Sequence, residues 1–538
     1  MMFIGLVVVL VGLPIGHLCT SHTTQGEVRV SEGSPVVYVA AVLEYEPYNL
    51  WTEDGGGEAI VRENSRVLAE YTALAKAQGV DILVAPEYGV ESLNMHPFIP
   101  DDLFSLMLFV PDPDLRVTPC AVDADLGHVE ALRALSCAAL ENEIYLVVDL
   151  GEASPCRNDT AGNNPFQNVL DTSYKCPERG YIYYNSQVVF DRSGTVIARY
   201  RKKNLYLEAS FKPGTESDET AIFTTDFGVT FTLQVCFDIA FFHPGVNNVV
   251  THGITDVVMS TAWVDLLPFT LAPPVQNTWS RELGVNLMVS GYHLPERAKL
   301  GSGIYRGFSD LSFTYTYDPD SGNQMIVSEV ETVASVSGKY RPSSRVPGMR
   351  HIKLGGKTKV MAGGSVEAPS AQGRHHQIYY DDLSNYTQVV LPQGGPGETQ
   401  QVEACHQDGL CCTLTYSLTS SLNYSLLAYS GIISEGDGVY KIYAQVCAVV
   451  WCHTEDINTC ARVNDGLPQN DEFGPFTISG NFSINYVYPS IFTRNLTLVA
   501  NDQYTTTNDR GTRTITTQEP TPDLLSTFLY GRWYDRDP

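Results

Sequence analysis

Three apolar runs in this 538-residue sequence each end on a side chain able to take part in chemistry. Leu83-Val84-Ala85-Pro86-Glu87 delivers a carboxylate, Ala198-Arg199-Tyr200-Arg201-Lys202 an ammonium, and Thr232-Leu233-Gln234-Val235-Cys236 a thiol. The runs read as strands, and ligand sites in α/β sheets gather at the C-terminal ends of strands. A thiol, a base and a cation held together suffice for acyl transfer through a thioester. Each residue alone also has a plainer use. Glu87 after a proline can open a helix, Lys202 in a basic run can lie on a solvated face, and Cys236 can be a small buried hydrophobe.

Cysteine parity sharpens the thiol. The chain has 12 cysteines, and Cys19 falls in an apolar N-terminal run, so an odd number remains. Disulfides in an oxidising compartment consume cysteines in pairs. Cys120, Cys137, Cys156 and Cys176 form an early cluster, and Cys405, Cys411, Cys412, Cys447, Cys452 and Cys460 a late one. Cys236 stands apart and is the thiol expected to stay free. The late cluster lacks paired CxxC or His spacing, so it reads as disulfides and not zinc, with pairing partners open.

The elements that must position these residues alternate between strand and helix over 35–340. Strands are expected over 35–42, 80–85, 144–150, 230–235, 256–261 and 285–290. Helices are expected over 58–78, 128–142 and 271–283, and a hairpin turns at Asp191-Arg192-Ser193-Gly194. This alternation predicts a layered α/β domain. Residues 341–375, rich in Pro, Gly, Ser and basic residues, read as a linker or long loop, and 376–538 as a smaller β-rich, disulfide-stapled domain.

The three runs together resemble the nitrilase (carbon–nitrogen hydrolase) superfamily, whose triad is Glu, Lys and Cys in that order. Pro86-Glu87-Tyr88-Gly89, Arg201-Lys202-Lys203-Asn204-Leu205-Tyr206, Cys236-Phe237-Asp238, Ser260-Thr261-Ala262-Trp263 and Gly301-Ser302-Gly303-Ile304-Tyr305 are similar to its biotinidase/vanin branch. Gly409-Leu410-Cys411-Cys412, the stretch Tyr440 to Cys447 and Leu529-Tyr530-Gly531-Arg532 continue the likeness. The resemblance implies an α-β-β-α sandwich followed by a vanin-type β domain. It implies Glu87 as proton acceptor, Lys202 as proton donor and oxyanion stabiliser, and Cys236 as nucleophile, with the Phe237 backbone N–H as second oxyanion donor. Burial should raise the Glu87 carboxyl while Lys202 favours the thiolate, narrowing the gap between a thiol near ~8.5 and a carboxyl near ~4.3.

The scheme needs no metal or organic cofactor. Asp238, Glu208 and His293 lie in family-like stretches and are read as shaping the pocket. Tyr88, Val264, Asp265 and Leu300 depart from the branch's usual Asp, Met, Asn and Thr, which leaves the triad intact and opens the question of substrate. The branch offers pantetheine (giving pantothenate and cysteamine) or a biotinyl amide such as biocytin (giving biotin and lysine). A catalytically silent vitamin-binding or interaction protein of the same fold is the rival, and the intact triad argues against it.

Composition narrows the partners. Lys+Arg is 34 and Asp+Glu 61, a formal net charge of −27, so phosphate backbones and anionic lipid surfaces are repelled; the resemblance implies a small-molecule amide as the partner. Phe3 to Ile15 is an apolar run of signal-peptide length, placing a signal peptide over 1–21. The C-terminus carries no apolar tail of the kind a lipid anchor requires, so a secreted, extracellular protein with no membrane span is expected. Asn158, Asn385, Asn423, Asn481 and Asn495 are glycosylation sequons that suit export.

Overall fold

Strands buried on both faces split their side chains between two cores, and the first strand does so residue by residue. In β1 (Val37–Tyr45), Tyr38, Ala40 and Val42 enter one apolar cluster while Ala41, Leu43 and Tyr45 enter another. β2 (Ile82–Val84) and β3 (Tyr145–Pro155) divide the same way. The computed structural model describes residues 36–538 apart from 50–55, 93–102, 123–126, 162, 167–169, 216–220, 308–312, 333–347, 355–374, 393–397, 419–421, 437 and 469–470. The signal-peptide run 1–21, with Cys19, lies outside the described residues.

β1 pairs in parallel with β2, and β2 with β3. β3 continues antiparallel to β4 (Tyr181–Phe190) and β4 to β5 (Val196–Arg201). On its other side, the last two residues of β1 pair in parallel with Asn286–Tyr292. From there the order runs through β8 (Asp256–Thr261) and β7 (Thr230–Val235) to β6 (Ile222–Thr224). The outer core lies under α1 (Gly56–Ala77) and α2 (Gly127–Asn142). α1 buries Ile60, Val61, Leu68, Tyr71 and Ala75, a stripe at helical spacing, and Gly79 follows it with φ +76°. The inner core gathers residues of β1–β3, β7, β8 and Asn286–Tyr292 around Trp279 of the helix Ala272–Leu283. The result is the α-β-β-α arrangement.

The β4–β5 turn falls where expected. Gly194 has φ +72°, and a Cβ there would lie 2.4 Å from the Ser136 carbonyl oxygen, so only glycine fits. The linker expectation over 341–375 needs correction: Met349–Lys353 is a strand, paired antiparallel with Gln324–Glu331 of the same sheet. Its side chains are mostly exposed, so the alternation that marks a half-buried strand is absent, and backbone pairing at a sheet edge holds it instead.

Beyond residue 376 two antiparallel sheets face each other across an apolar core. One runs Thr387–Val390, Asn423–Glu435, Tyr440–Cys452, Leu524–Arg532, Tyr486–Thr493. The other is built on Thr399–Cys405, Cys411–Leu418 and Glu472–Asn481. Cys412–Cys447 ties the two sheets, while Cys405–Cys411 and Cys452–Cys460 close local loops. Cys120–Cys137 and Cys156–Cys176 staple the first region, and Cys236 is the free cysteine among the described residues. Leu267, Phe269 and Leu271 of the α/β region enter the β-sandwich core, so the two regions share packing. Among the described residues no helix is long and apolar enough to cross a membrane.

Candidate active site

β2 stops at Val84 and the chain turns through Pro86, leaving Glu87 buried at 1% exposure. Its Oε1 accepts hydrogen bonds from Lys202 Nζ at 2.7 Å and Asn185 Nδ2 at 2.9 Å, and its Oε2 from the Ala262 N–H at 2.8 Å. Lys202, just past the end of β5, is also 1% exposed and forms a second ion pair, to Glu208 Oε2 at 2.8 Å. Burial pushes this ammonium toward neutrality; Glu208 and Glu87 outweigh that and hold its pKa well above the ordinary lysine value. Glu208 is in turn lowered, since Lys202 overcomes the opposing effect of burial. The lysine is therefore a fixed positive charge.

Cys236 follows β7 with φ +48°, a left-handed conformation a non-glycine residue adopts at a cost of about 1–3 kcal/mol. Asp238 holds this turn. Its Oδ2 accepts from the Val235 N–H at 3.0 Å and Tyr200 hydroxyl at 2.8 Å, and its Oδ1 from the Asn204 N–H at 2.9 Å. One carboxylate thus locks the Cys236 turn to the loop carrying Lys202. Burial, and then the Glu87 charge, push the Cys236 thiol up to about 12, against Lys202, Thr261 and Lys299. Lys202 draws the thiol's pKa down as expected, but burial exceeds that attraction, and the resting group is a thiol.

The residues flagged as departures divide. Tyr88, with φ +54°, donates its hydroxyl to Glu208 and receives Asp149 Oδ1 on its N–H at 2.8 Å, so it belongs to the buried network. Asp265 caps the helix Ala272–Leu283 through the Ala272 N–H at 2.9 Å. Leu300 is buried, and Val264 lines the cavities described next. His293 pairs with Glu44 at 3.0 Å. Behind the network burial raises the carboxyls of Asp149 and of Glu91, the latter to about 8.

Two cavities meet at the site. The first is lined by Cys236, Phe237, Trp263, Trp279 and, from the β-sandwich, Ile442 and Phe528. Most of its polar side chains are engaged elsewhere, while the Trp279 indole N–H has no partner among the described residues. The Trp263 N–H bonds the Thr270 carbonyl at 2.8 Å, the Thr278 hydroxyl the Pro274 carbonyl at 2.7 Å, and the Arg532 guanidinium Asp537 at 2.7 Å. The second shares Tyr206, Val264 and Leu266 with the first and adds Lys299, Asp381 and Asp382. Tyr440 brings the sandwich against the site: its hydroxyl accepts the Leu207 N–H at 2.7 Å and its ring lies 5.2 Å from Phe237.

Sequence reasoning missed Glu208 as a partner of Lys202, and missed Lys299 and the sandwich residues of the wall. Glu208 and Lys299 reach the site from irregular segments with no periodic pattern, and wall residues such as Ile442 read as ordinary strand core. Among the sequons, Asn158, Asn385, Asn481 and Asn495 are exposed, whereas Asn423 is half-buried with its Nδ2 bonded to the His453 carbonyl at 3.2 Å.

Residues 59–246 match the carbon-nitrogen hydrolase family and residues 376–537 the vanin C-terminal domain. The chain belongs to the carbon–nitrogen hydrolase superfamily, in its biotinidase/vanin branch, and is an amide-cleaving hydrolase. Its relatives include pantetheinase of Homo sapiens, 29% identical over 89% of this chain and 84% of that protein. Biotinidase of Bos taurus is 29% identical over 93% of each chain, and biotinidase of Homo sapiens 29% over 93% and 90%.

Proposed function

We propose that the protein is a secreted amidase that hydrolyses the linear amide of a vitamin conjugate through a thioester on Cys236, with Glu87 and Lys202. Glu87 takes the thiol proton as sulfur attacks the carbonyl carbon. The oxyanion is stabilised by the Lys202 ammonium and the Phe237 N–H. Glu87 returns the proton to the nitrogen, the C–N bond breaks and the amine departs. Glu87 then deprotonates water, which cleaves the thioester and releases the acid. Glu208 acts as a positioning residue, keeping Lys202 charged.

The single observation that carries this reading is the buried Lys202 bridging Glu87 and Glu208 beside an unpaired, buried cysteine. A protonated thiol beside a buried carboxylate makes proton transfer the first step. Five disulfides among the described residues support export. The domain reading, 35–340 catalytic and 376–538 accessory, is retained, with the sandwich supplying part of the pocket wall.

The names of the relatives point to two substrates, a biotinyl amide and pantetheine. Both acyl groups carry polar atoms into the first cavity, a ureido group for biotin and hydroxyls for pantothenate, and the Trp279 N–H there has no partner among the described residues. Biocytin and pantetheine assayed side by side on the wild type and Cys236→Ala test the reading. Acid and amine should be released from at least one of the two, and Cys236→Ala should lose at least about 10³-fold in rate. Turnover of neither would remove the substrate reading, and undiminished turnover by Cys236→Ala would overturn the thioester.

A further inference from the structure

A second lysine, Lys299, lies close enough to Cys236 and Glu87 to feel their charge. Lys299 follows the tight turn Pro295–Arg297, and backbone bonds of 2.8 and 3.1 Å between Leu294 and Lys299 fix its position. Its ammonium donates to the Ala262 carbonyl at 2.9 Å, and the N–H of that same alanine bonds Glu87. Unlike Lys202, it forms no ion pair with any carboxylate of the described residues, so one N–H of three is used. It is only partly exposed and lines the second cavity, which meets the first at Tyr206, Val264 and Leu266. Burial draws its pKa down while Cys236 and Glu87 draw it up. A half-buried ammonium without a counter-ion gains most when an anion arrives to pair with it.

The order of release says which half of the substrate that anion belongs to. The acyl group stays on sulfur after the C–N bond breaks, and the apolar first cavity suits its hydrocarbon part. The amine leaves first and takes a proton, so it suits the more polar route, which is the cavity lined by Lys299. We propose that Lys299 binds a carboxylate on the amine half of the substrate, making this enzyme selective for amides of an amino acid over amides of a simple amine. The proposal rests on the amide-hydrolysis reading above. Asp381 and Asp382 line the same cavity and offer a counter-charge to an ammonium, so a zwitterionic amino acid can be met at both charges.

Two substrate pairs that differ only in that carboxylate test it: biocytin against N-biotinyl-cadaverine, and N-pantothenoyl-cysteine against pantetheine. Each is measured as kcat/KM on the wild type, Lys299→Met and Lys299→Arg. In whichever pair is turned over, the wild type should favour the carboxylate-bearing member by about tenfold to a hundredfold. Lys299→Met should erase most of that ratio, and Lys299→Arg should keep most of it. The ratio comes from one preparation, so partial misfolding does not move it. A wild type without preference, or a preference that survives in Lys299→Met, would overturn the proposal while leaving the amidase reading intact. Turnover of none of the four would remove the substrate reading and this proposal together.

Discussion

The cavity beside Cys236 and the cavity beside Lys299 share three residues and differ in nearly everything else. The first is walled by Phe237, Trp263, Trp279 and Phe528, with most of its polar groups turned to partners in the protein and the Trp279 N–H left without one among the described residues. The second presents the Lys299 ammonium, the Arg297 guanidinium and the carboxylates of Asp381 and Asp382. Their lysines differ in the same sense: Lys202 holds two ion pairs and Lys299 none among the described residues. The contrast teaches a division of labour. Charge that must stay constant through the reaction is neutralised internally, whereas charge meant for an arriving group is left without a partner.

The largest test of that division is Glu208→Gln. Glu208 is the foremost influence holding the Lys202 pKa up, so its loss lets burial draw that pKa down. Lys202 then loses its proton at lower pH, and the basic limb of the kcat profile should move to lower pH. A fall of about 10² in kcat is expected, comparable to losing one oxyanion donor. A proportionate loss with an unmoved basic limb would make Glu208 merely structural. The smaller test is Ile442→Thr, which places a hydroxyl in the apolar cavity. It should lower kcat/KM for the amide that is turned over by about tenfold. An unchanged kcat/KM would show that Ile442 does not contact the acyl group.

The two cavities also differ in how far the sequence announces them. Glu87, Lys202 and Cys236 are legible because each ends an apolar run, and Cys236 is marked again by cysteine parity. The strands carrying them are legible too: Thr230–Val235 and Asp256–Thr261 form over the residues expected. The walls are not. Ile442 and Phe528 lie in strands whose pattern suits any sandwich core, and only the packing of the sandwich on the α/β sheet turns them toward Cys236. Lys299 sits between Ala298 and Leu300 in an irregular segment, and its significance comes from a carbonyl contact across the sheet. The strand Met349–Lys353 escaped because exposed edge residues carry no alternation.

Selective alkylation of Cys236 measures the central claim most directly. The native protein is treated with iodoacetamide at alkaline pH, where a thiol raised by burial begins to ionise, and adducts are mapped by mass spectrometry against residual amide hydrolysis. A single adduct at Cys236, formed in proportion to lost activity and slowed by substrate, is the predicted result. Full hydrolytic activity in protein alkylated at Cys236 would contradict it.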